Sequence, residues 1–372
     1  MDNSFGTLFR ITSFGESHGD LIGIILDGVP AGLEINLDII QNELEKRSPG
    51  QSQLTTTRFE EDQVKILSGI FNNKTTGAPL CLIIENKDID SSIYKKFKNF
   101  LRPSHIDYSA LKKYGGFSDF RGSGRFSGRI TAGFVMAGAI AKQILRKFDI
   151  MIFAYTKSIG NIIDDEKYSV DEFEKLQDQR KASLVKAINY EKSKLMEHLI
   201  MEVKSQKDSI GGTVKCLVKN FPEGKGGPIF NSIESNISRA VFSIPAIKGI
   251  EFGIGFKAAK MRGSEHNDPW ILKNGKIQTS KNDAGGIIGG ISTGMPIEFT
   301  VAVKPTASIG IPQKTVNIQT MENAEIELSG RHDPCIVPRI IPVVEAMTAN
   351  VLLDCLLIEG YIPRVFQSQN KI

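Results

Sequence analysis

The feature that most limits how this chain can fold is that it writes similar text twice. ESHGDLIGIILDGVPAG, starting at Glu16, and DSIGGTVKCLVKNFPEG, starting at Asp208, share an acid, a serine, a glycine and a closing Pro-x-Gly. TTGAPLCLIIENK, from Thr75, has its counterpart in STGMPIEFTVAVK, from Ser292, and Ser-Gly-Arg stands both at 127–129 and at 329–331. Matches in the same order at similar spacing are the mark of an internal duplication. The repeat-like halves cover about residues 1–150 and 205–372 of one domain, 1–372, and a charged segment at about 160–208 is expected to join them as solvated helix, with Leu195, Leu199, Ile200 and Val203 at helical spacing.

Within each half, short apolar runs such as GIIL, APLCLII and PIEFTVAV read as strands, with glycines clustered between them. Each Ser-Gly-Arg precedes a segment of helical character, TAGFVMAGAIAKQIL in the first half and PVVEAMTANVLLDCLL in the second. The Ala and Gly content of the first lets a helix approach its neighbours closely. Strands followed by buried helices, written twice, predict an α+β layered sandwich. RGSGRFSG does not follow a clear strand with an acid at the right distance, which argues against a dinucleotide-binding βαβ fold, and no GxxxxGK[ST] occurs.

Charge and cysteine usage exclude several function classes. The formal net charge is only +4 and no Lys/Arg block is present, so neither nucleic acid nor membrane is an expected partner. The rival of an RNA-binding protein working through Arg/Gly loops lacks the aromatics or basic stripe that such recognition needs. The 4 cysteines, Cys81, Cys216, Cys335 and Cys355, have no metal-type spacing and suit reduced thiols; no metal is expected. The opening MDNSFGTLFR has no basic start followed by an apolar run, and Arg339, Glu345 and Asp354 interrupt the apolar stretch near the C-terminus, so a cytoplasmic protein is expected.

The candidate chemistry sits in loops. Of the 5 histidines, His18 in FGESHGD and His105 in RPSHIDY are flanked by glycine, arginine or proline, unlike residues of an amphipathic core. Arg47, Arg102, Arg125, Arg129 and Arg331 also lie in Gly/Ser/Pro loops. Guanidinium forks on rigid loops suit a small ligand carrying phosphate or carboxylate groups. KPTAS, from Lys304, adds a cation, hydroxyls and a turn suited to a phosphate tail.

Taken together, FGTLFRITSFGESHG, KRSPGQS, RPSHIDY, RGSGRFSGR, GGIIGGISTG, KPTAS and GRHDPC resemble the chorismate synthase family over nearly the whole chain. The resemblance implies a β-α-β sandwich, a homotetramer, and a lyase of the shikimate pathway. Its reaction is the anti-1,4-elimination of phosphate from 5-enolpyruvylshikimate 3-phosphate, giving chorismate, with reduced FMN and no net redox change. It implies catalytic roles for His18, His105 and Asp333, and substrate binding by Arg47, Arg102, Arg129 and Arg331. The FMN would draw on Arg125, Phe126, Ser127, Pro245, Ala246, Gly289, Lys304, Pro305, Thr306, Ala307, Ser308 and Arg331, with Arg47 also linked to nicotinamide use.

Four positions depart from the family pattern: Ser104 replaces a glycine, Phe126 a serine, Ile130 an acid and Gln53 an arginine. Phe126 and Ile130 are expected to make the first Ser-Gly-Arg loop more apolar. Gln53 sets direct NADPH use against reduction through a separate flavin reductase. An FMN-dependent oxidoreductase acting on a small phosphorylated acid is the competing enzyme class.

Overall fold

The computed structural model describes residues 2–50, 52, 54–55, 62–87, 94, 97–328 and 333–367. Two antiparallel sheets enclose a layer of helices. The first sheet contains β1 (Ser4–Phe5), β2 (Arg10–Gly15), β3 (Leu21–Asp27), β4 (Val64–Ser68) and β5 (Leu80–Glu85), in the order β1-β2-β3-β5-β4. The second contains β6 (Met151–Ile159), β7 (Ile162–Ile163), β8 (Gly212–Lys219), β9 (Ile247–Phe252) and β10 (Ile297–Val303), in the order β9-β10-β8-β6-β7. Strands β2-β3-β5-β4 and β6-β8-β10-β9 therefore repeat one topology, first strand, second, fourth, third. Helix α1 (Leu37–Arg47) follows β3, and α3 (Thr131–Arg146) follows β5 after α2 (Asp107–Tyr114). In the second unit α6 (Ile233–Val241) follows β8 and α7 (Val337–Ile358) follows β10.

Side-chain alternation explains the layers. Ile22, Ile24 and Leu26 of β3 point inward while Ile25 and Asp27 face out, and Ile297, Phe299, Val301 and Val303 line the inner face of β10. Each such side chain, fully buried, contributes roughly 1.5–3 kcal/mol. Asn36 caps α1, accepting from Asp38 N at 2.9 Å and Ile39 N at 3.3 Å, and Lys46 and Arg47 occupy its last turn, where cations are favoured. Helices α3 and α7 cross in the centre; a Cβ on Gly138 would lie 2.3 Å from Ala346, so only glycine permits this approach. Although α7 is long and apolar, it is buried along nearly its whole length and is a core helix.

The charged segment differs from the expectation. Its helices α4 (Phe173–Ala182) and α5 (Tyr190–Ser205) fall between β6 and β8, inside the second unit. They do not bridge two halves. Phe173, Leu176 and Ile188 pack on Phe153, Tyr155 and Leu217, covering the outer face of the second sheet. Met196 and Ile200 form the buried stripe of α5, whereas Leu195 is exposed.

Candidate active site

One cleft of about 730 Å³ opens where the helix N-termini and loops of both units meet. Among the substrate-type arginines, Arg47, Arg102 and Arg129 line it, with His105 and Asp333. Arg125, Phe126 and Ser127 reach it from the first unit; Pro245, Ala246 and Lys304 through Ser308 reach it from the second. Arg331 and Gln53 lie outside the described residues. Gly289 is not brought there: it sits in the turn of a short hairpin, φ 62°, away from the lining.

His105 stands in the most defined polar cluster. Its Nδ1 is 3.0 Å from Asp107 Oδ1 and its Nε2 is 3.2 Å from Ser123 Oγ. Arg102 locks the same carboxylate, donating from its backbone N at 3.0 Å, Nε at 2.9 Å and Nη2 at 2.6 Å. Burial alone would raise the Asp107 pKa, but the hydrogen bonds from His105 and Arg102 and the charge of Arg102 hold it well below the usual carboxylate range. An ionised carboxylate only accepts, so Nδ1 carries a proton and donates to Asp107, while Nε2 faces the Ser123 hydroxyl. Ser104 and Ser123 both adopt left-handed backbone, φ 54° and 72°. Ser104 thus takes a conformation that a glycine would adopt without strain.

His18 lies in a loop, as its glycine neighbours imply, but its side chain is buried there. It is 4% exposed and lies one layer behind the lining, where a Cβ on Gly122 would meet its Nδ1 at 1.9 Å. Tyr94, itself part of the cleft, packs edge-on to its ring at 5.1 Å. The two family departures in the first Ser-Gly-Arg loop also separate. Phe126 faces the cleft, but Ile130 is buried in the main core and leaves the lining unchanged.

The cations are held by named partners. Arg125 donates to Gly15 O at 2.9 Å, Ser13 O at 3.1 Å and Asn3 Oδ1 at 3.0 Å, pinning β2. Lys304 reaches Ser104 O at 3.4 Å; burial first, and Lys248 second, lower its pKa. Thr306 Oγ1 donates to Asp333 O at 3.0 Å, tying the KPTAS turn to the segment that leads into α7, and Asp333 forms an ion pair with Arg339.

Asp62, Asp107, Ser123 and Arg339 escaped the sequence reading. Asp107 had a local signal, two residues after His105 in RPSHIDY. Arg339 read only as an interruption of an apolar run, and Asp62 stands in the unremarkable string FEEDQ.

Comparison with known proteins supplies the family. The family model described as chorismate synthase matches residues 9–357. A chorismate synthase of Dehalococcoides mccartyi (strain ATCC BAA-2100 / JCM 16839 / KCTC 5957 / BAV1) is 51% identical over 367 residues, covering 99% of this chain and 100% of the relative. That of Korarchaeum cryptofilum (strain OPF8) is 50% identical over 350 residues, 94% of this chain and 96% of the relative. A chorismate synthase crystal structure superposes with a TM-score of 0.75 at 31% identity, covering 95% of this chain and 93% of the other.

Proposed function

Since the chain belongs to the chorismate synthase family, we propose that its cleft carries out the anti-1,4-elimination of phosphate from 5-enolpyruvylshikimate 3-phosphate, with reduced FMN and no net redox change. The observation that carries this reading is the convergence of Arg47, Arg102 and Arg129 with His105 and Asp333 on one cleft built by both units. Forked cations of this kind match a substrate bearing one phosphate and two carboxylates.

The residues fit a flavin mononucleotide. Burial, and after it the charge of Lys248, disfavours the charged form of Lys304, a cost that a phosphate tail would relieve, and Phe126, Phe242, Ile336, Ile340 and Val343 give the cleft an apolar wall for a ring. When bound, a reduced flavin would supply transient electron density to the C–O bond that breaks, with no net redox change.

The chain's own residues bind and move protons. Arg47, Arg102 and Arg129 neutralise the anionic groups, and Arg331 is assigned to the same task. Asp333, oriented by Arg339 and Thr306, receives the proton lost from the substrate ring. His105 keeps its proton on Nδ1 through Asp107 and steadies the reduced cofactor. The proton for the departing phosphate is assigned to His18, whose ring lies behind Gly122 and Tyr94, one layer from the lining.

Assembly as a homotetramer fits the surface. The hairpin formed by Trp270–Lys273 and Lys276–Thr279 exposes Trp270, Leu272 and Ile277, and a two-stranded hairpin is marginal alone in water. A second copy would cover it. We place the protein in the cytoplasm and assign flavin reduction to NADPH, used directly or through a flavin reductase.

The test is an anaerobic assay with purified protein, chemically reduced FMN and the enolpyruvyl phosphate, without nicotinamide. Many molecules of chorismate should form per flavin, and oxygen should stop the reaction. Consumption of one reduced flavin per product would replace the elimination by the oxidoreductase reading.

A further inference from the structure

Arg47 and Arg129 come from different elements of the first unit, yet one carboxylate joins them. Asp62 Oδ2 accepts from Arg47 Nη1 at 2.9 Å and Asp62 Oδ1 accepts from Arg129 Nη1 at 2.9 Å. The Asp62 side chain is only 1% exposed, and those of the two arginines are 5% and 8% exposed. Two like charges held this close in a poorly solvated place repel strongly, so the carboxylate between them is required to keep both heads in one geometry.

The clamp extends to the rest of the site. Arg129 Nε donates to Asn86 Oδ1 at 2.6 Å, and Asn86 Nδ2 donates to Glu16 O at 3.0 Å and Gly19 O at 2.7 Å, the loop that carries His18. Arg47 Nε donates to Thr131 Oγ1 at 3.3 Å, at the start of α3. Asp62 therefore stands at the centre of a chain of contacts running from the end of α1 to the His18 loop.

We propose that Asp62 is a positioning residue for anion recognition: it fixes the separation and fork orientation of Arg47 and Arg129 before the ligand arrives. The proposal deepens the functional reading above and rests on its premise that the cleft takes a phosphorylated acid. Two effects compete when Asp62 is neutralised. Coulomb attraction alone favours tighter anion binding, because a negative charge is gone. Loss of the clamp favours weaker binding, because a charge-assisted hydrogen bond that a displaced fork no longer makes to the anion costs on the order of 10- to 100-fold. The buried, two-pronged geometry makes the second effect dominant.

Calorimetric titration of the full chain with inorganic phosphate, without flavin or substrate, tests this independently of turnover. Asp62→Asn should bind phosphate at least about tenfold more weakly than the unaltered chain, within the range such a loss allows. Asp62→Glu, which keeps the charge but moves the oxygens by a methylene, should fall between the two, about threefold or more weaker than the unaltered chain. In the catalytic assay the same order should appear in KM for the phosphorylated substrate, and Asp62→Glu should recover part of what Asp62→Asn loses. Equal or tighter phosphate binding by Asp62→Asn would show that the carboxylate only subtracts charge and would overturn the proposal. If Asp62→Asn does not fold, Asp62→Glu decides: a normal circular dichroism spectrum with unchanged phosphate affinity overturns it. Absence of saturable phosphate binding to the unaltered chain would remove the anion site on which the proposal stands. Phosphate binding that follows the expected order in a chain that makes no chorismate would instead sink the functional reading and leave the clamp intact.

Discussion

Arg339 Nε donates to the carbonyl oxygen of Arg47 at 3.2 Å across 292 residues of sequence, joining the N-terminal turn of α7 to the C-terminal turn of α1. The same guanidinium pairs with Asp333 through Nη1. One side chain thus couples the two units at the mouth of the cleft and orients the assigned proton acceptor.

Arg339→Lys keeps the charge and loses the fork that serves both partners. Turnover should fall by about 10- to 100-fold, the scale of a displaced acid–base group, while flavin affinity changes little. Steady-state kinetics beside a flavin titration checks this; unchanged kcat would detach Arg339 from Asp333 function.

Asp107→Asn removes the acceptor that keeps the His105 proton on Nδ1, since the amide can donate as well as accept. Activity should fall within the roughly 10²- to 10⁴-fold range of acid–base contributions, with the pH profile of kcat displaced. A profile and rate equal to those of the parent would show that the tautomer is immaterial.

Gly122→Ala tests the wall in front of His18. The added Cβ would meet His18 Nδ1 at 1.9 Å on a backbone with φ 53°, so the ring or the loop must shift. Turnover should collapse with a loss of stability confined to about 1–3 kcal/mol, the scale of one strained backbone position. Full activity together with an unmoved melting temperature would mean that the wall yields freely.

Acid stability should depend on the ionic cluster in the helix layer. Lys142 Nζ lies 2.6 Å from Glu43 Oε2 and 2.7 Å from Glu345 Oε2, and Arg180 from α4 joins Glu345. Burial would raise both glutamates, but the charge of Lys142, with that of Arg180 at Glu345, holds them below their usual range. A carboxylate depressed in the folded state stabilises it above the unfolded value of about 4.3, and that contribution is lost as pH falls through the lower folded value. Lys142→Met removes the cation shared by two buried carboxylates and leaves Glu43 with Lys46 and Glu345 with Arg180, so it should cost up to about 3 kcal/mol and move the acid-unfolding midpoint to higher pH. Circular dichroism against pH measures it; an unmoved midpoint would contradict the assignment.

Much of this molecule was legible locally. Alternation in LIGIILD and IEFTVAV gives strands, the Ala/Gly stripe of TAGFVMAGAIAKQIL gives a closely packed helix, and the doubled Ser-Gly-Arg context anticipates two units of one topology. Period and turn chemistry act between near neighbours in the chain, which is why a sequence displays them. Loop position likewise singled out His105 and Arg102, which line the cleft. The tertiary structure alone decided the rest. It put the charged segment inside the second unit, because Phe173 and Leu176 find an apolar sheet face at Phe153 and Leu217 that no local pattern reveals. It sent Ile130 to the core and Phe126 to the cleft, and set His18 behind Gly122. Above all it chose which carboxylate meets which arginine. Asp62 with Arg47 and Arg129, and Arg339 with Asp333, are selected by burial and fork geometry in three dimensions, and those forces leave no period in the sequence.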